Sequence, residues 1–184
     1  MFIIWIGCSE YGLLTEKPLN EAGETKPYSC TELEMTMSEW QKSPHYEQMT
    51  IEDEHGLSWF QANFDTSSFQ GTPLPDRSIE PGFDKIYRSD LTIASIPPRL
   101  MLDIQSDDGI WVYINEIFVG NWGGEWQEEG CVNDDAECVE SVHVDKIDIT
   151  SFLQSGTNHI ATRVSNPVFG SYFDLNVQCI DEEQ

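Results

Sequence analysis

The chain has 184 residues, of which 33 are acidic and 9 are basic, so that its formal net charge is -24. A field of that sign disfavours nucleic acid and anionic membrane surfaces, whose phosphates it would repel, and it suits a cation, a neutral sugar or a basic partner. A chain of this length buries roughly 70% of its unfolded surface around one core, so one domain is expected.

The first ten residues, MFIIWIGCSE, have the character of an export signal: an apolar stretch followed by small and polar residues. Gly7 followed by Cys8 resembles the cleavage box of bacterial lipoproteins, in which the cysteine is lipidated. This resemblance implies a membrane tether through Cys8 and an extracellular or cell-envelope location. A generic secretion signal and an ordinary buried segment remain alternatives.

Residues 9–29 contain scattered glycine, proline and charged residues without periodicity, which predicts a linker. We therefore assign residues 1–29 to the signal-like segment and linker, and residues 30–181 to the folded domain. No apolar run approaches the ~18 residues needed to cross a bilayer.

Four cysteines remain when Cys8 is set aside, and an even set in an exported chain predicts disulfides. Cys131 and Cys138 enclose a short polar loop, which a bridge would stabilise by roughly 2.5 kcal/mol. A bridge between Cys30 and Cys179 would fasten the two ends of the domain together. The sequence has neither the CxxC nor the HExxH spacing of a zinc site. Reduced thiols in a cytosolic protein remain the alternative.

The first part of the domain combines alternation with aromatic density. In TELEMTMSEW, residues 31–40, Leu33, Met35 and Met37 alternate with polar residues, which predicts a strand, although TMSEWQKS also suits the start of a short helix. SWFQANFDTSSFQG, residues 58–71, is rich in aromatic residues and predicts a wall of the core. LPDRSIEPGF, residues 74–83, contains two prolines and a glycine and predicts a loop.

Period-two patterns dominate the rest of the chain. IYRSDLTI (86–93) alternates, and so do the two runs whose inward residues are Leu100, Leu102 and Ile104, and Ile110, Val112 and Ile114. IFVG follows after only Asn115 and Glu116, which predicts a tight hairpin. Three further runs follow a long loop at 120–140, namely SVHVDKIDI, HIATRVS and SYFDLNVQC. At least seven short strands without a long helix predict an antiparallel β-sandwich or barrel.

Four stretches in order, FDTSSFQGTPLP, YRSDLTI, LMLDIQSDDGIWVYINEIFVGNW and VDKIDITSFLQSGTNHIATRVSN, resemble galactose-binding-type jelly-roll domains. The resemblance covers about residues 57–179 and implies an all-β, antiparallel jelly-roll sandwich. SDDGIWVYINEIFV is also similar to a strand of protective-antigen-type and fibro-slime domains, which are β-sandwich adhesion modules. Where the family has a hairpin glycine, this chain has Glu116. Because a non-glycine residue at positive φ is strained, we expect a different turn type.

Asp107 and Asp108 are neighbours directly before Gly109. Two charges about 4 Å apart repel by roughly 4 kcal/mol at an effective dielectric near 20, and a calcium ion would compensate by binding their oxygens. In some protective-antigen-type yeast adhesins such a pair binds calcium, which grips sugar hydroxyls. By that resemblance Asp107 and Asp108 would be ligands here, with Asn121 or Asn133 completing the shell. The alternative is turn chemistry, in which both carboxylates accept backbone N–H bonds.

The loop GNWGGEWQEEGCVNDDAEC, residues 120–138, is a second candidate surface. Trp122 and Trp126 lie among glycines, and exposed indole faces are surfaces on which sugar rings stack. Asn121 and Glu125 complete the predicted ligand-binding set. Alternatively, the tryptophans fold back over one end of the sandwich. Trp111 and Tyr113 lie on the outer face of their strand, against a second layer or solvent.

The residues give no support for catalysis. The four histidines have no triad spacing with serine or cysteine, and the chain has no glycine-rich phosphate loop. A glycosidase needs two carboxylates about 5 to 10 Å apart across a cleft, which one small sandwich rarely forms. We expect a protein that is not an enzyme.

Two functions follow. The first is a secreted or surface-tethered, non-catalytic carbohydrate-binding or adhesion module, calcium-dependent if the aspartate pair binds the ion, with a carbohydrate or glycoconjugate as partner. The second is a structural or protein-interaction domain of the cell envelope that binds no sugar. In either case the acidic excess also keeps the protein soluble.

Overall fold

The computed structural model describes residues 30, 33–44, 56–79, 83–107, 109–123, 126–127, 130–131, 141–166 and 172–181. In this part of the chain the strands are Met35–Met37 (β1), Trp40–Lys42 (β2), Gln70–Thr72 (β3), Phe83–Ile93 (β4), Leu100–Asp107 (β5), Ile110–Ile114 (β6), Ile117–Trp122 (β7), Trp126–Gln127 (β8), Gly130–Cys131 (β9), Ser141–Asp148 (β10), Gly156–Asn166 (β11) and Phe173–Cys179 (β12). Thr150–Phe152 forms one 3-10 turn. Within the same residues, no helix has the length and apolar character needed to span a membrane.

Ten of these strands form two facing sheets, and β8 and β9 form a separate two-stranded sheet; the pairing is antiparallel throughout. The larger sheet has the order β3-β2-β4-β11-β6-β7, with β1 also paired to β4, and the smaller sheet has the order β10-β5-β12. One core cluster lies between them, to which the larger sheet contributes Leu91, Ile110 and Ile160 and the smaller sheet Leu102 and Ile104. The predicted antiparallel β-sandwich is confirmed.

The alternation in the sequence explains which side chains are buried. Leu100, Leu102 and Ile104 of β5 are fully buried, as are Ile110, Val112 and Ile114 of β6. Side chains of a strand point alternately to the two faces of its sheet, so these residues fill the space between the sheets. The segment for which a short helix was an alternative forms strands β1 and β2 instead.

The turn between β6 and β7 is the predicted two-residue hairpin, since Ile114 pairs with Ile117. Asn115 and Glu116 have φ of 51° and 67°, as in a type I′ turn. The expectation that Glu116 would avoid positive φ is therefore wrong. Its carboxylate accepts a hydrogen bond from the backbone N–H of Ala62 at 2.9 Å, which offsets part of the strain.

A second layer covers the outer face of the larger sheet. Trp59 and Phe64 are buried there against Ile86 and Ala161, with Phe60, Phe69, Trp111 and Tyr113 packed around them. The aromatic segment at 58–71 thus forms a wall, as predicted, but on the side of the sheet away from the main core. Of the two environments expected for Trp111 and Tyr113, the second layer is the one against which they pack, and both side chains stay partly exposed.

A buried carboxylate ties the loop after β3 to both sheets. Asp76 accepts hydrogen bonds from Lys42 Nζ at 2.7 Å, Tyr87 Oη at 2.8 Å and Ser78 Oγ at 2.8 Å, and its backbone exchanges two hydrogen bonds with Phe173 of β12. Burial by itself would raise the pKa of Asp76, but the hydrogen bonds from Lys42, Ser78 and Tyr87 outweigh burial and lower that pKa.

The disulfide predicted between Cys30 and Cys179 is present. It joins the start of the described domain to the last residue of β12, and the backbone N–H of Cys30 also donates to Asp181 Oδ1 at 2.7 Å. Cys138, the predicted partner of Cys131, lies outside the described residues, as do Cys8 and the whole of residues 1–29. The second bridge and the lipidation of Cys8 therefore stay predictions.

Candidate functional site

Polar side chains cover the outer face of the smaller sheet. On β5, Asp103, Gln105 and Asp107 alternate with the buried residues of the core, so they point away from it. The register of β12 against β5 places Asp174 beside Gln105 and Asn176 beside Asp103. Residues paired in this way have Cβ atoms about 4.5 to 5.5 Å apart. Carboxylates and amides from two strands therefore share one patch of surface.

Two adjoining cavities of about 210 Å³ each lie on this side of the smaller sheet. The first is lined by Asp103, Gln105, Asp174 and Asn176. The second is lined by Gln105, Ser106, Asp107, Val142, His143 and Tyr172. Gln105 lines both cavities, and we call the two together the polar groove.

The groove offers hydrogen-bonding groups of both kinds. His143 Nε2 lies 3.2 Å from Asp103 Oδ1, in a contact that solvent reaches, because the two side chains are 58% and 33% exposed. The amides of Gln105 and Asn176 each carry two donors and an acceptor, and the ionised carboxylates accept only. A ligand with many hydroxyl groups, each of which both donates and accepts, matches such a lining.

Tyr172 forms the end of the groove beside Asp107. Its backbone carbonyl accepts a hydrogen bond from the Asp107 N–H at 2.8 Å, which holds the two residues together. The Arg77 guanidinium lies 4.9 Å from the centroid of the Tyr172 ring. This partly exposed aromatic residue is therefore fixed at the cavity wall, where a ring can pack against a ligand.

The predicted calcium ligands are only partly visible. Asp107 is the last residue of β5 and lines the groove, whereas Asp108 and Asn133 lie outside the described residues. In the described part of the chain, no group of three or more histidine, cysteine, aspartate or glutamate side chains could hold a metal ion. The carbonyl of Gly109 accepts a hydrogen bond from Ser165 N–H at 2.8 Å, which extends the pairing of β6 with β11. Calcium binding stays a prediction.

Trp122, one of the two tryptophans predicted to form an exposed binding surface, lies against the core. Trp122 is partly buried and packs against the main core, and its indole lies so close to Gly120 that a Cβ there would come within 2.8 Å of the ring. The prediction that this indole stands outside the core is wrong, because β7 directs it inward beside Ile110. Its assignment as a ligand-binding residue stays a prediction.

The other residues of that set lie apart from the groove or outside the described residues. Asn121 pairs with Trp111 in the larger sheet and lines neither cavity of the polar groove. Trp126 belongs to the short β8-β9 hairpin, of which only the backbone is described, and Glu125 lies outside the described residues.

Sequence reasoning missed most of the groove. The alternation predicts strands there and gives no sign that one surface is shared by Asp103, Gln105, His143, Asp174 and Asn176. The usable signal is that the outward positions of the β5 and β12 sequences carry only carboxylates and amides between Asp103 and Asp107 and between Asp174 and Gln178.

Comparison with known proteins gives distant likenesses only. No protein-family profile matches the chain, and no curated protein matches it in sequence. A glycosyl hydrolase family 2 member from Bacteroides cellulosilyticus is similar in structure at 16% identity and a TM-score of 0.49, with 80% of this chain and 20% of that chain covered. A beta-glucuronidase from Bacteroides uniformis is similar at 15% identity and a TM-score of 0.43, with coverages of 79% and 18%. This chain thus spans about a fifth of the length of those structures.

Proposed function

We propose that this chain is a non-catalytic carbohydrate-binding module of the galactose-binding jelly-roll type, and that the polar groove is its sugar site. The observation that supports this most is the lining of the groove, where Gln105 joins two cavities edged by amides, carboxylates, a histidine and a tyrosine. Each cavity, at about 210 Å³, is smaller than the about 300 to 1,000 Å³ found for small-molecule sites, so the proposed glycan would have to contact both.

The groove suits recognition without chemistry. A glycosidase general acid has its pKa raised by an apolar, buried environment. Asp103 and Asp174 are both partly exposed on an open sheet face, beside amides that hydrogen-bond well to hydroxyl groups. We assign these carboxylates to binding, and the module to equilibrium recognition of a glycan.

We further propose that the module acts at the cell surface or outside the cell. The predicted export segment and the lipidation of Cys8 would supply the tether. Mass spectrometry of the mature protein from its native host, after labelling with a fatty-acid analogue, checks this directly. An unmodified Cys8 in the exported protein would remove the tether from the proposal.

Substituting alanine for Gln105 and Asn176 together is expected to lower glycan affinity about 5- to 150-fold, since each of two lost hydrogen bonds contributes roughly 0.5 to 1.5 kcal/mol. A glycan array identifies the ligand, and isothermal titration calorimetry measures the change in affinity. Gln70→Ala is the matched control, because this exposed glutamine lies on β3 of the other sheet. Its affinity should equal that of the wild type.

Each array is to be run once with calcium and once with a chelator. If a folded protein binds no glycan in either condition, the carbohydrate proposal is wrong. Binding that requires calcium would support the predicted role of Asp107 and Asp108. Unchanged affinity in the double variant, with a glycan bound elsewhere, would contradict the assignment to the groove.

An exposed apolar pair favours a second candidate function, a protein-interaction domain of the envelope. Ile117 and Phe118 are 53% and 47% exposed at the start of β7, which is the last strand in the order of the larger sheet. Consecutive residues of a strand point to opposite faces, so these two side chains leave apolar surface on both sides of β7, and exposed apolar surface often marks protein contacts. This candidate predicts that Phe118→Ser abolishes attachment to the cell surface, whereas the groove variants leave it intact.

A further inference from the structure

The polar groove presents acceptors and negative charge without a permanent cation. Its first cavity is lined by two carboxylates, Asp103 and Asp174, and by the amides of Gln105 and Asn176. The second cavity adds Asp107 and His143. Among the described residues, neither cavity is lined by a lysine or an arginine. The Arg77 guanidinium lies over the ring of Tyr172, at the end of the second cavity.

This lining discriminates between ligands by charge. A uronate, sialate or sulfated sugar would bring an anion beside the carboxylates, inside the field of a chain of net charge -24. His143, which contacts Asp103, is the one basic side chain among the described residues that line the two cavities. Placing like charges side by side is a common means of rejecting a wrong ligand, so the lining disfavours acidic glycans.

The first cavity is complementary to an ammonium group. An ammonium carries donors in three directions and accepts no hydrogen bond. All four lining side chains can accept: the carboxylates of Asp103 and Asp174 and the amide oxygens of Gln105 and Asn176. Hydrogen bonds between charged partners are roughly twice as strong as those between neutral groups.

We propose that the polar groove selects amino-sugar glycans, with a free sugar ammonium held in the cavity between Asp103 and Asp174. This inference rests on the proposed function and adds the charge class of the ligand. The remaining hydroxyls of the glycan would lie along Gln105 toward His143 and Tyr172, where the second cavity continues the groove.

The test compares oligosaccharides that share ring and linkage and differ only in charge. The full-length protein is titrated with a glucosamine oligomer, the matching N-acetylglucosamine oligomer and a glucuronate-containing oligomer, in chelator and at a pH at which sugar amines are protonated. The amino form should bind at least about tenfold more tightly than the acetylated form, and the uronate should not bind. The advantage should shrink as salt rises.

Two isosteric variants distinguish the effect of a carboxylate in the groove from the effect of the net charge of the whole chain. Asp174→Asn should remove most of the preference for the amino form, because its affinity for the amino oligomer should fall by a larger factor than its affinity for the acetylated oligomer. Glu34→Gln makes the same change in net charge at an exposed residue before β1, outside the groove, and should leave the preference intact. Circular dichroism shows whether each variant is folded.

The outcomes distinguish this inference from the function on which it rests. Equal or tighter binding of the acetylated oligomer overturns the charge selection and leaves a carbohydrate module in place. Equal losses in Asp174→Asn and Glu34→Gln overturn it as well, because bulk charge would then explain the preference. If no oligomer and no glycan of the array binds, the proposed function itself fails.

Discussion

Replacing Asp76 with asparagine should lower the free energy of unfolding by about 3 to 5 kcal/mol, the range found when one partner of a buried ion pair is removed. Asp76 is 6% exposed and Lys42 is 17% exposed, so the variant leaves the Lys42 ammonium largely desolvated without its counter-charge. The substitution also puts an amide where the Tyr87 hydroxyl now donates to a carboxylate oxygen. Urea denaturation followed by tryptophan fluorescence measures the loss.

The chain contains a matched control for this variant. Asp65 makes the same local contacts as Asp76: its carboxylate accepts from the N–H of the serine two residues later at 2.8 Å and contacts that serine's hydroxyl at 3.1 Å. Asp65 is exposed, so Asp65→Asn should cost less than about 1 kcal/mol. Equal losses in the two variants would show that the serine turn, and not the buried ion pair, carries the effect.

The Asp76 network also predicts how stability depends on pH. Because folding lowers the pKa of Asp76, the contribution of this group is fully present above the ordinary pKa of an unfolded aspartate, about 3.9, and is lost as pH falls toward the folded value. The Asp76→Asn variant should therefore lose less stability than the wild type on acidification from about pH 5 to pH 2. Parallel curves for the two proteins would contradict this.

The double variant Lys42→Met, Asp76→Asn separates the charge from the packing. Removing both charges eliminates the uncompensated ammonium, so part of the stability lost in Asp76→Asn should return. A double variant that is as unstable as the sum of the single variants would mean that the two residues act independently.

Much of the fold could be predicted from the sequence, because one strong signal controls it. Period-two burial fixes which face of each strand is apolar, and Leu102 of β5 and Val112 of β6 lie in the core as that signal requires. The pairing of Cys30 with Cys179 followed from the even cysteine count and their places at the ends of the domain. The resemblance implied the jelly-roll type of sandwich, and the family itself stays a proposal.

The polar groove could not be predicted, because it depends on pairing between distant segments. Asp103 and Asn176 are neighbours only because β12 returns beside β5 in one particular register. In the sequence each of these residues has the appearance of any solvent-facing polar residue on an alternating strand. In a chain this acidic, polar side chains are expected on every outer face, so composition does not distinguish the residues of the groove from other surface residues.

The error at Trp122 and the error at Glu116 have different physical causes. Glycines around Trp122 suggested that it had no core to enter, but the open space at Gly120 is what lets the indole lie flat and inward. At Glu116 the local rule against positive φ was overridden by a tertiary contact, the hydrogen bond from Ala62. Both cases show context prevailing over a single-residue preference.

Removing the Cys30–Cys179 disulfide is the second change with a large expected effect. The bridge closes a loop with a sequence separation of 149, so almost the whole described domain lies inside it. The chain-entropy estimate for a loop of about that length is roughly 5 kcal/mol, and measured losses are typically about 2 to 5 kcal/mol. Substituting serine for both cysteines should lower the free energy of unfolding within that range and lower the thermal midpoint.

The double serine variant also shows where a reductant acts. The chain has three further cysteines, so reduction of the wild type alone would not identify the bridge responsible. If Cys30–Cys179 dominates, reductant should destabilise the wild type strongly and the variant little. The hydrogen bond from Cys30 N–H to Asp181 holds the same two ends together, so the folded structure should survive even though its stability falls. If the double serine variant is as stable as the wild type, and reductant still destabilises it, then another cysteine pair carries the stabilising role. The predicted pair is Cys131 with Cys138.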